Sequence, residues 1–389
     1  MEIKNKRVFL RADFNVPIKD SVIKDDYRII STLKTLDYLK NEGCKTIIVS
    51  HIETKDVDKP SLKPVYEYLK TKHPEYDIHF MENIEDVENI NHGFESIQDG
   101  SFLLLENIRN LKGEKDNDME LAKKIKEITD VYVNDAFAVS HRNHMSVSAL
   151  PSLYNIDHKM LGVQMKQEID NLSKVLTPEK PFAVILSGAK FSTKLPLIEK
   201  YIKTADRLLI GGALFNNILK SLGYNVGKSL IDTDVVYIDK LVKDGNFTHK
   251  VFIPQTVKVK NINTNEFRIS NIKDVHDDET IQDINIESVE GFISVIKKDN
   301  IKTIVWNGPI GNYEDERFKD GTISLAKGLI QYIVENESTH LFIGGGDTVA
   351  AINSLNIDND RVFVSTGGGA MLEFLEKDGA LPGVVNVTR

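Results

Sequence analysis

Basic and polar side chains follow several short apolar runs in the first half of the sequence, and their types suit the binding of an anion. In the stretch RADFNVP, Arg11, Asp13 and Asn15 stand at alternate positions, and His51 follows the run KTIIVS. An arginine fork forms paired, charge-assisted hydrogen bonds with phosphate and carboxylate groups. The basic side chains at these positions are Arg11, Arg28, His51, Arg109, His141, Arg142 and His144. Together they predict a site for a small anionic molecule.

Glycine-rich segments take the place of the basic ones in the second half. Glycine lets backbone amides approach a phosphate closely, and a helix that begins there adds the positive end of its dipole. Lys190 and Lys194 stand one helical turn apart, and Asp347 follows three glycines as a candidate ligand for Mg²⁺. The other candidates are Gly188, Gly211, Gly212, Asn307, Gly308, Gly311, Glu314, Gly344, Gly345, Gly346, Thr348, Gly367, Gly368 and Gly369. These clusters predict a nucleotide site, with Glu314 on a ribose hydroxyl.

The elements that must position these residues are short apolar strands, each followed by an amphipathic helix. The predicted strands are 7–14, 45–50, 101–107 and 130–137 in the first half, and 181–188, 207–212, 302–309, 340–347 and 361–368 in the second. Strands this apolar are typical of parallel sheets that helices cover on both faces. Because the carboxyl ends of such strands converge on one crevice, the polar residues that follow them are expected to lie together. The predicted fold class is α/β with doubly wound parallel sheets.

Two domains are expected from a chain of 389 residues. A helical apolar pattern covers residues 158–175, and Thr177 and Pro178 follow it, so residues 159–177 are predicted to join domains at 1–158 and 178–372. Residues 255–290 are polar and weakly patterned, which leaves open either a small group of short strands or a solvated insertion.

Composition excludes several classes of protein. Lys and Arg number 49 against 58 Asp and Glu, and a net charge of −9 argues against a general nucleic-acid binder. Cys44 is the single cysteine, so neither an intramolecular disulfide nor a cysteine metal cluster can form. We find no signal-peptide pattern and no long uncharged apolar stretch, and we expect a cytoplasmic protein that does not enter a membrane. A dinucleotide-binding dehydrogenase is disfavoured because no G-x-G-x-x-G opens a helix after the first strand.

The motifs of both halves resemble, in order, those of the phosphoglycerate kinase family. The matching stretches are RADFNVP, LLLENIR, VNDAFAVSHRNH, SGAKFSTK, WNGPIGNYE, GGGDT and STGGGA through LPGV. They run from about residue 6 to residue 384, nearly the whole chain. The resemblance implies two α/β domains that face each other across a cleft and close during the reaction. It also implies that the C-terminal tail, residues 373–389, returns to the first domain.

The resemblance implies a role for each site residue. In the first domain, 3-phosphoglycerate or 1,3-bisphosphoglycerate would contact Asp13, Asn15, Arg28, His51, Arg109 and Arg142. In the second, ATP or ADP would contact Lys190, Lys194, Gly211, Gly212, Asn307, Glu314, Gly345, Gly346, Asp347 and Thr348, with Mg²⁺ on Asp347. The transferred phosphoryl group would be met by Arg28, Lys190, Lys194, Gly367 and Gly368, with Gly369 beside them.

The reaction implied is transfer between MgATP and the carboxylate of 3-phosphoglycerate, which in glycolysis runs from the acyl phosphate to ADP. A carboxylate nucleophile has no proton to lose at neutral pH, so no general base is required. Catalysis is then expected to rest on alignment and on neutralisation of the charge of the transferred group. We expect the enzyme to act as a monomer.

The sequence departs from the family pattern at several positions. The family usually has SHLGRP with a substrate-binding Arg, whereas this chain has SHIETK, with Thr54 in place of that Arg and Lys55 as a candidate substitute. The remaining replacements are Ala138, Ser187, Ala213 and Asn285 for Gly, and Thr193 for Asp. The altered loop leaves two alternatives open, a kinase of the same fold for another small phosphorylated acid and a weakened nucleotide-binding homologue.

Overall fold

The chain forms two compact units, each built on its own sheet. The computed structural model describes residues 2–54, 59–189, 191, 193–232, 235–243, 245–355 and 357–388. Unit 1 comprises Met1–Asp170 and Lys377–Arg389, and unit 2 comprises Asn171–Glu376. Lys55 and Lys190, both named above as candidates, lie outside the described residues.

Unit 1 contains a six-stranded parallel sheet and a two-stranded hairpin. Its strands are β1 (Arg7–Arg11), β2 (Ile18–Lys19), β3 (Val22–Ile23), β4 (Lys45–Val49), β5 (Ile78–Met81), β6 (Phe102–Leu105), β7 (Val131–Asn134) and β8 (Lys159–Leu161). The sheet order is β5-β6-β4-β1-β7-β8, and β2 pairs with β3 in the hairpin. Strand β1 therefore lies between β4 on one side and β7 on the other, so the strand order reverses at β1. This is the position at which ligands bind in doubly wound folds.

Helices cover both faces of this sheet. They are α1 (Tyr27–Asn41), α2 (Lys63–Lys72), α3 (Val87–Ser96), α4 (Met119–Glu127) and α5 (Ala149–Ser152). Successive side chains of β1 enter different cores, since Val8 and Leu10 pack with residues of α1 and α2, and Phe9 with residues of α3 and α4. A strand buried on both faces must be apolar at every position. The prediction of parallel sheets covered on both faces is confirmed here.

The connection between the units is helix α6 (Val163–Leu176). The sequence pattern placed residues 159–161 in this helix, but they form β8, which pairs in parallel with β7. The apolar residues of β8 are compatible with the period of a helix or of a strand. Pairing with the edge of β7 gives the backbone groups of β8 hydrogen-bond partners. The Gly162 amide then donates to the Asn134 carbonyl at 2.7 Å before α6 begins.

Unit 2 contains a second parallel sheet and a smaller antiparallel one. Its strands are β9 (Phe182–Leu186), β10 (Arg207–Ile210), β11 (Val251–Phe252), β12 (Thr256–Asn261), β13 (Phe267–Asn271), β14 (Glu279–Ile284), β15 (Thr303–Asn307), β16 (His340–Gly344) and β17 (Val362–Val364). The parallel sheet has the order β11-β10-β9-β15-β16-β17. The antiparallel sheet has the order β13-β12-β14, which settles the open question of residues 255–290 in favour of short strands.

The helices of unit 2 follow its strands in the expected alternation. They are α7 (Leu195–Thr204), α8 (Gly212–Ser221), α9 (Val235–Val242), α10 (Gly245–Lys250), α11 (Ile286–Lys298), α12 (Asp320–Glu335), α13 (Gly346–Ile352) and α14 (Gly368–Glu376). The last helix, α15 (Pro382–Thr388), belongs to unit 1. Its Val387 lies in the unit 1 core, and the Asn134 side chain donates to the Gly383 carbonyl at 2.9 Å. Within the described ranges, no helix has the length and apolar character needed to span a membrane.

Candidate active site

The carboxyl end of β1 contains Arg11, whose side chain is almost completely buried. Its Nε donates to Ser146 Oγ at 3.0 Å, and its Nη1 donates to the Ala12 carbonyl at 2.6 Å. The sequence predicted a strand to residue 14 with Arg11, Asp13 and Asn15 on one face. That prediction is wrong in its length because β1 ends at Arg11, so the alternation does not continue. Arg11 is therefore a buried residue that is hydrogen-bonded to the segments around it.

His51 lies against Arg11 and is also buried. Arg11 Nη2 is 3.4 Å from His51 Nδ1, and since a guanidinium can only donate, Nδ1 accepts and the ring proton is on Nε2. Burial, with the nearby charges of Arg11 and Arg109, holds the pKa of His51 well below its usual value. His51 is therefore a neutral donor at physiological pH.

Asp13, Asn15 and Arg28 form a second contact group beside β1. Arg28 Nη1 lies 3.0 Å from Asp13 Oδ2 and donates to the Asn15 carbonyl at 3.3 Å. Asp13 is buried, whereas Arg28 and Asn15 are half-buried. The three residues predicted to share a substrate are thus in mutual contact.

Arg109 follows β6 and ion-pairs with Glu53. Burial, together with repulsion from Arg11 and Arg142, lowers the pKa of Arg109 to about 10. The pKa of His144 is lowered to about 4, mainly by burial, and the charge of the exposed Arg142 contributes to this shift. These shifts have one physical cause besides burial, which is an excess of positive charge in a small volume. The arrangement suits an anionic ligand.

Glu114 is a member of this site that the sequence analysis missed. Its carboxylate is fully buried and accepts hydrogen bonds from the Ser146 amide at 2.9 Å and from Ser146 Oγ at 2.7 Å. Through Ser146 it fixes Arg11 and offsets part of the positive charge. In the sequence it lies in a charged stretch, LKGEKD, which reads as a solvated loop, so no local signal marked it.

In unit 2 a cavity of about 530 Å³ opens beside the carboxyl ends of the strands. Five of the predicted nucleotide-site residues line it: Gly188, Gly212, Gly311, Glu314 and Asp347. Its larger apolar lining residues were not predicted; they are Phe215, Leu230, Ile281, Ile284 and Ile310. Ile281 and Ile284 belong to β14, whose existence the sequence left open. An apolar cavity with a few polar groups at its rim is typical of a site for a flat heterocycle.

Lys194 lies next to this cavity, immediately before α7. Its Nζ donates to the Ser187 carbonyl and lies 3.4 Å from the Asn307 carbonyl. Burial lowers the pKa of Lys194 to about 8, although the charge of Asp347 opposes that shift. The ammonium group is therefore held at the carboxyl ends of β9 and β15.

Asn307 and Thr348 connect the ends of β15 and β16. Thr348 Oγ1 accepts from the Gly308 amide at 2.8 Å and donates to the Gly344 carbonyl at 3.0 Å. Gly308 has a φ of 99°, and a side chain there would meet the Ser187 carbonyl and Lys194 Nζ. Asn307 Nδ2 is buried without a hydrogen-bond partner among the described residues. A buried donor in this state is stabilised by a bound anion.

The first turns of α13 and α14 lie side by side. An added Cβ on Gly368 would come within 3.0 Å of the Gly346 amide nitrogen and 3.1 Å of Gly345 Cα. The backbones of Gly346 and Gly368 therefore lie close together at the starts of these helices, and Gly367 immediately precedes α14. Gly211 precedes α8, and its amide donates to the Leu186 carbonyl at 3.1 Å, so it lies behind the cavity wall.

Asp347 is the predicted metal residue. It is exposed in the first turn of α13, and its Oδ1 lies 3.4 Å from the Tyr313 hydroxyl. No group of three or more His, Cys, Asp or Glu side chains suited to a metal occurs in the described part of the chain. One exposed carboxylate fits Mg²⁺, which commonly binds one or two carboxylates and completes its shell with phosphate oxygens and water.

Comparisons with known proteins agree over nearly the whole length. A family model described as phosphoglycerate kinase matches residues 1–378. A phosphoglycerate kinase from Thermosipho africanus is 40% identical over 400 residues, covering 100% of this chain and 96% of that protein. One from Buchnera aphidicola is 37% identical over 383 residues, covering 97% and 93%.

Solved structures are similar to this chain over its whole length. The structure of phosphoglycerate kinase from Coxiella burnetii has a TM-score of 0.80 at 31% identity and covers 100% of this chain and 97% of that one. Phosphoglycerate kinase from Pyrococcus horikoshii has a TM-score of 0.84 at 26% identity, with the same coverage.

Proposed function

The chain belongs to the phosphoglycerate kinase family and is a kinase that transfers a phosphoryl group between ATP and the carboxylate of 3-phosphoglycerate, and from this premise we propose how its residues divide the work. Unit 1 binds the acid, and unit 2 binds the nucleotide. The observation that carries this division is the contrast between the two sets of strand ends. One set gathers several arginines, among them Arg109 with its lowered pKa, and the other presents glycines, a buried lysine and an apolar cavity.

The acid is bound by Asp13, Asn15, Arg28, His51, Arg109 and Arg142. Arg28, Arg109 and Arg142 supply charge-assisted hydrogen bonds to the phosphate and carboxylate groups. His51 donates from Nε2, because its Nδ1 is occupied by Arg11. Arg11 and Glu114 are positioning residues, since they reach the ligand only through His51 and Ser146.

The nucleotide base occupies the apolar cavity, with its ribose at Glu314 and its phosphates at Lys194 and Asn307. The buried, unpartnered amide of Asn307 supports this placement of the phosphates. Gly212, which lines the cavity, lies along the base with Gly211 immediately before it, while Gly345, Gly346 and Thr348 surround the phosphates. We propose the same phosphate role for Lys190 from its place in the sequence alone, because it lies outside the described residues.

Asp347 holds Mg²⁺ in the proposed site. The ion supplies charge neutralisation to the phosphate oxygens when it is bound. The other groups of the chain orient the transferred phosphoryl, namely Arg28, Lys194 and the amides of Gly367 and Gly368. The carboxylate that accepts the phosphoryl is already ionised, so no residue of the chain has to remove a proton. The chain then contributes to catalysis by aligning the substrates and by stabilising the charge of the transferred phosphoryl group.

We further propose that the enzyme acts in the cytoplasm and as a monomer. Its substrates are small phosphorylated metabolites of that compartment, and each proposed binding set is complete within one chain. Size-exclusion chromatography with light scattering tests the second point, because the mass of a dimer would contradict it.

Steady-state kinetics on two exposed residues test the division of substrates. Arg142→Ala is expected to raise the KM for 3-phosphoglycerate about ten- to a hundredfold and to leave the KM for ATP unchanged, because one charge-assisted hydrogen bond is lost. Glu314→Ala is expected to raise the KM for ATP about tenfold and to leave the KM for the acid unchanged. Equal changes in both constants for either variant would overturn the assignment.

A further inference from the structure

The segment that follows β4 is fixed in place by two asparagine side chains. Asn107 Nδ2 donates to the Ile52 carbonyl at 2.8 Å, and Asn107 Oδ1 accepts from the Ile52 amide at 3.4 Å. Asn15 Oδ1 accepts from the Glu53 amide at 3.0 Å. The Ile52 backbone and the Glu53 amide are therefore anchored by these hydrogen bonds.

The Glu53 carboxylate ion-pairs with Arg109. The Arg109 side chain is only 12% exposed, whereas that of Glu53 is 63% exposed. Arg11 and Arg142 repel Arg109, so the guanidinium lies where an anion is stabilised. Both contacts of residue 53 are thus with residues of the acid site, its amide with Asn15 and its carboxylate with Arg109.

We propose that Glu53 is an internal counter-ion that competes with the acid substrate for Arg109. This inference rests on the proposed acid site. A carboxylate on Arg109 resembles the carboxylate or phosphate of the substrate in charge and in the geometry of its oxygens. Binding of the acid is then an exchange, in which the ion pair of Arg109 with Glu53 is replaced by one with the ligand and Glu53 turns to solvent. Glu53 accordingly sets the affinity for the acid below what the arginines alone would give.

Titration calorimetry with 3-phosphoglycerate on the full chain, without nucleotide, tests the exchange. Glu53→Gln removes the charge and nearly preserves the shape, so the Kd for the acid is expected to fall about two- to fivefold, the range of a partly exposed ion pair. Glu120→Gln is the matched control, because Glu120 is an exposed acid of the same unit that pairs with Lys123 at 2.7 Å. The control is expected to bind the acid as the unchanged protein does.

Kinetics provide a second measurement. For Glu53→Gln the KM for the acid is expected to fall by the same factor, with the KM for ATP unchanged, because the contacts of Glu53 described above are with Asn15 and Arg109 of the proposed acid site. A general effect of net charge would move the Glu120→Gln variant as well.

Each remaining outcome counts against the inference. An unchanged Kd would mean that Glu53 does not occupy Arg109, and a raised Kd would mean that it assists binding. An equal fall in the Kd of Glu120→Gln would show that the effect comes from the net charge of the protein and not from the ion pair with Arg109. If the unchanged protein turns over but Glu53→Gln shows no gain, only the competition fails. If the unchanged protein does not bind 3-phosphoglycerate at all, the proposed acid site fails and the competition fails with it.

Discussion

Burial gives two ionisable side chains of this enzyme properties that their residue types do not predict. Lys194 has its ammonium group against backbone carbonyls, and burial lowers its pKa to about 8. His51 is kept neutral because Arg11 donates to it and because it is buried. Lys194 is therefore a cation whose pKa lies close to neutral pH, whereas His51 is a neutral hydrogen-bond donor.

The affinity for ADP is expected to depend on the protonation of Lys194. The charged form attracts phosphate, and with a pKa of about 8 it is the main form at pH 7 but the minor form at pH 9. The affinity should therefore fall as pH rises through 8, by up to about tenfold per unit. Calorimetric titration of ADP between pH 6.5 and 9.5 measures this. Lys194→Gln should bind more weakly and lose the dependence, and an identical profile in both proteins would contradict the role.

Residue types were predictable from the sequence, but their contacts were not. Lys194 and Asp347 were identified because they stand beside glycines at strand ends. Glu114 and Glu53 were missed because their partners, Ser146 and Arg109, are more than thirty residues away along the chain. An acidic residue in a polar segment gives no sign of its partner until the strands are assembled.

At the scale of elements, the residues of the proposed acid site depend on how the segments after β4 and β6 are joined. Asn107 makes this connection, because its side chain contacts the Ile52 backbone, the Pro60 carbonyl at 3.0 Å and the Arg109 amide at 3.2 Å. One amide group thus positions both His51 and Arg109.

Asn107→Asp is expected to weaken both stability and acid binding. The change keeps the acceptor but removes the donor to two carbonyls, which costs about 1–3 kcal/mol in the free energy of unfolding. The KM for the acid should rise while the KM for ATP stays unchanged. Urea unfolding and steady-state kinetics measure the two effects, with the exposed residue Asn83 changed to Asp as the control. Lost stability with an unaltered acid KM would show that the connection does not position the site.

Apart from β17, the strands that were predicted are those whose side chains are nearly all buried, such as β4 and β15. The strands that were missed are β2, β3, β5, β8 and β11, which are short and partly exposed. Apolar periodicity indicates burial, so it identifies the central strands of both parallel sheets and misses three of their four edge strands. The apolar wall of the nucleotide cavity was missed for a related reason, because it includes the weakly patterned β14.

At the scale of the whole molecule, unit 1 is built from both ends of the sequence. Helix α15 places Val387 in its core, and the Gly383 amide donates to the Ser140 carbonyl at 2.8 Å. The structure leaves no space for a side chain at Gly383, since an added Cβ would lie 2.7 Å from Ser140 Oγ and 2.8 Å from Ser140 Cα.

Gly383→Ala is expected to destabilise unit 1 and to leave unit 2 unchanged. The clash with the buried Ser140 should cost about 1–3 kcal/mol in the free energy of unfolding. Trp306 is the single tryptophan and is buried in unit 2, so its fluorescence follows that unit alone, while circular dichroism follows both. Only the dichroism should show an earlier transition. Thr388→Ala, an exposed change in the same helix, is the control, and an earlier fluorescence transition for Gly383→Ala would contradict the expectation.

The return of α15 to unit 1 has a consequence for biosynthesis. Ribosomes make proteins from the N-terminus, and domains generally fold as their segments emerge. Unit 2 is one continuous stretch, but unit 1 has to wait for Lys377–Arg389 while all of Asn171–Glu376 is translated. During that interval the nascent first unit lacks the helix that covers part of its core, and exposed apolar surface of this kind is what chaperones bind.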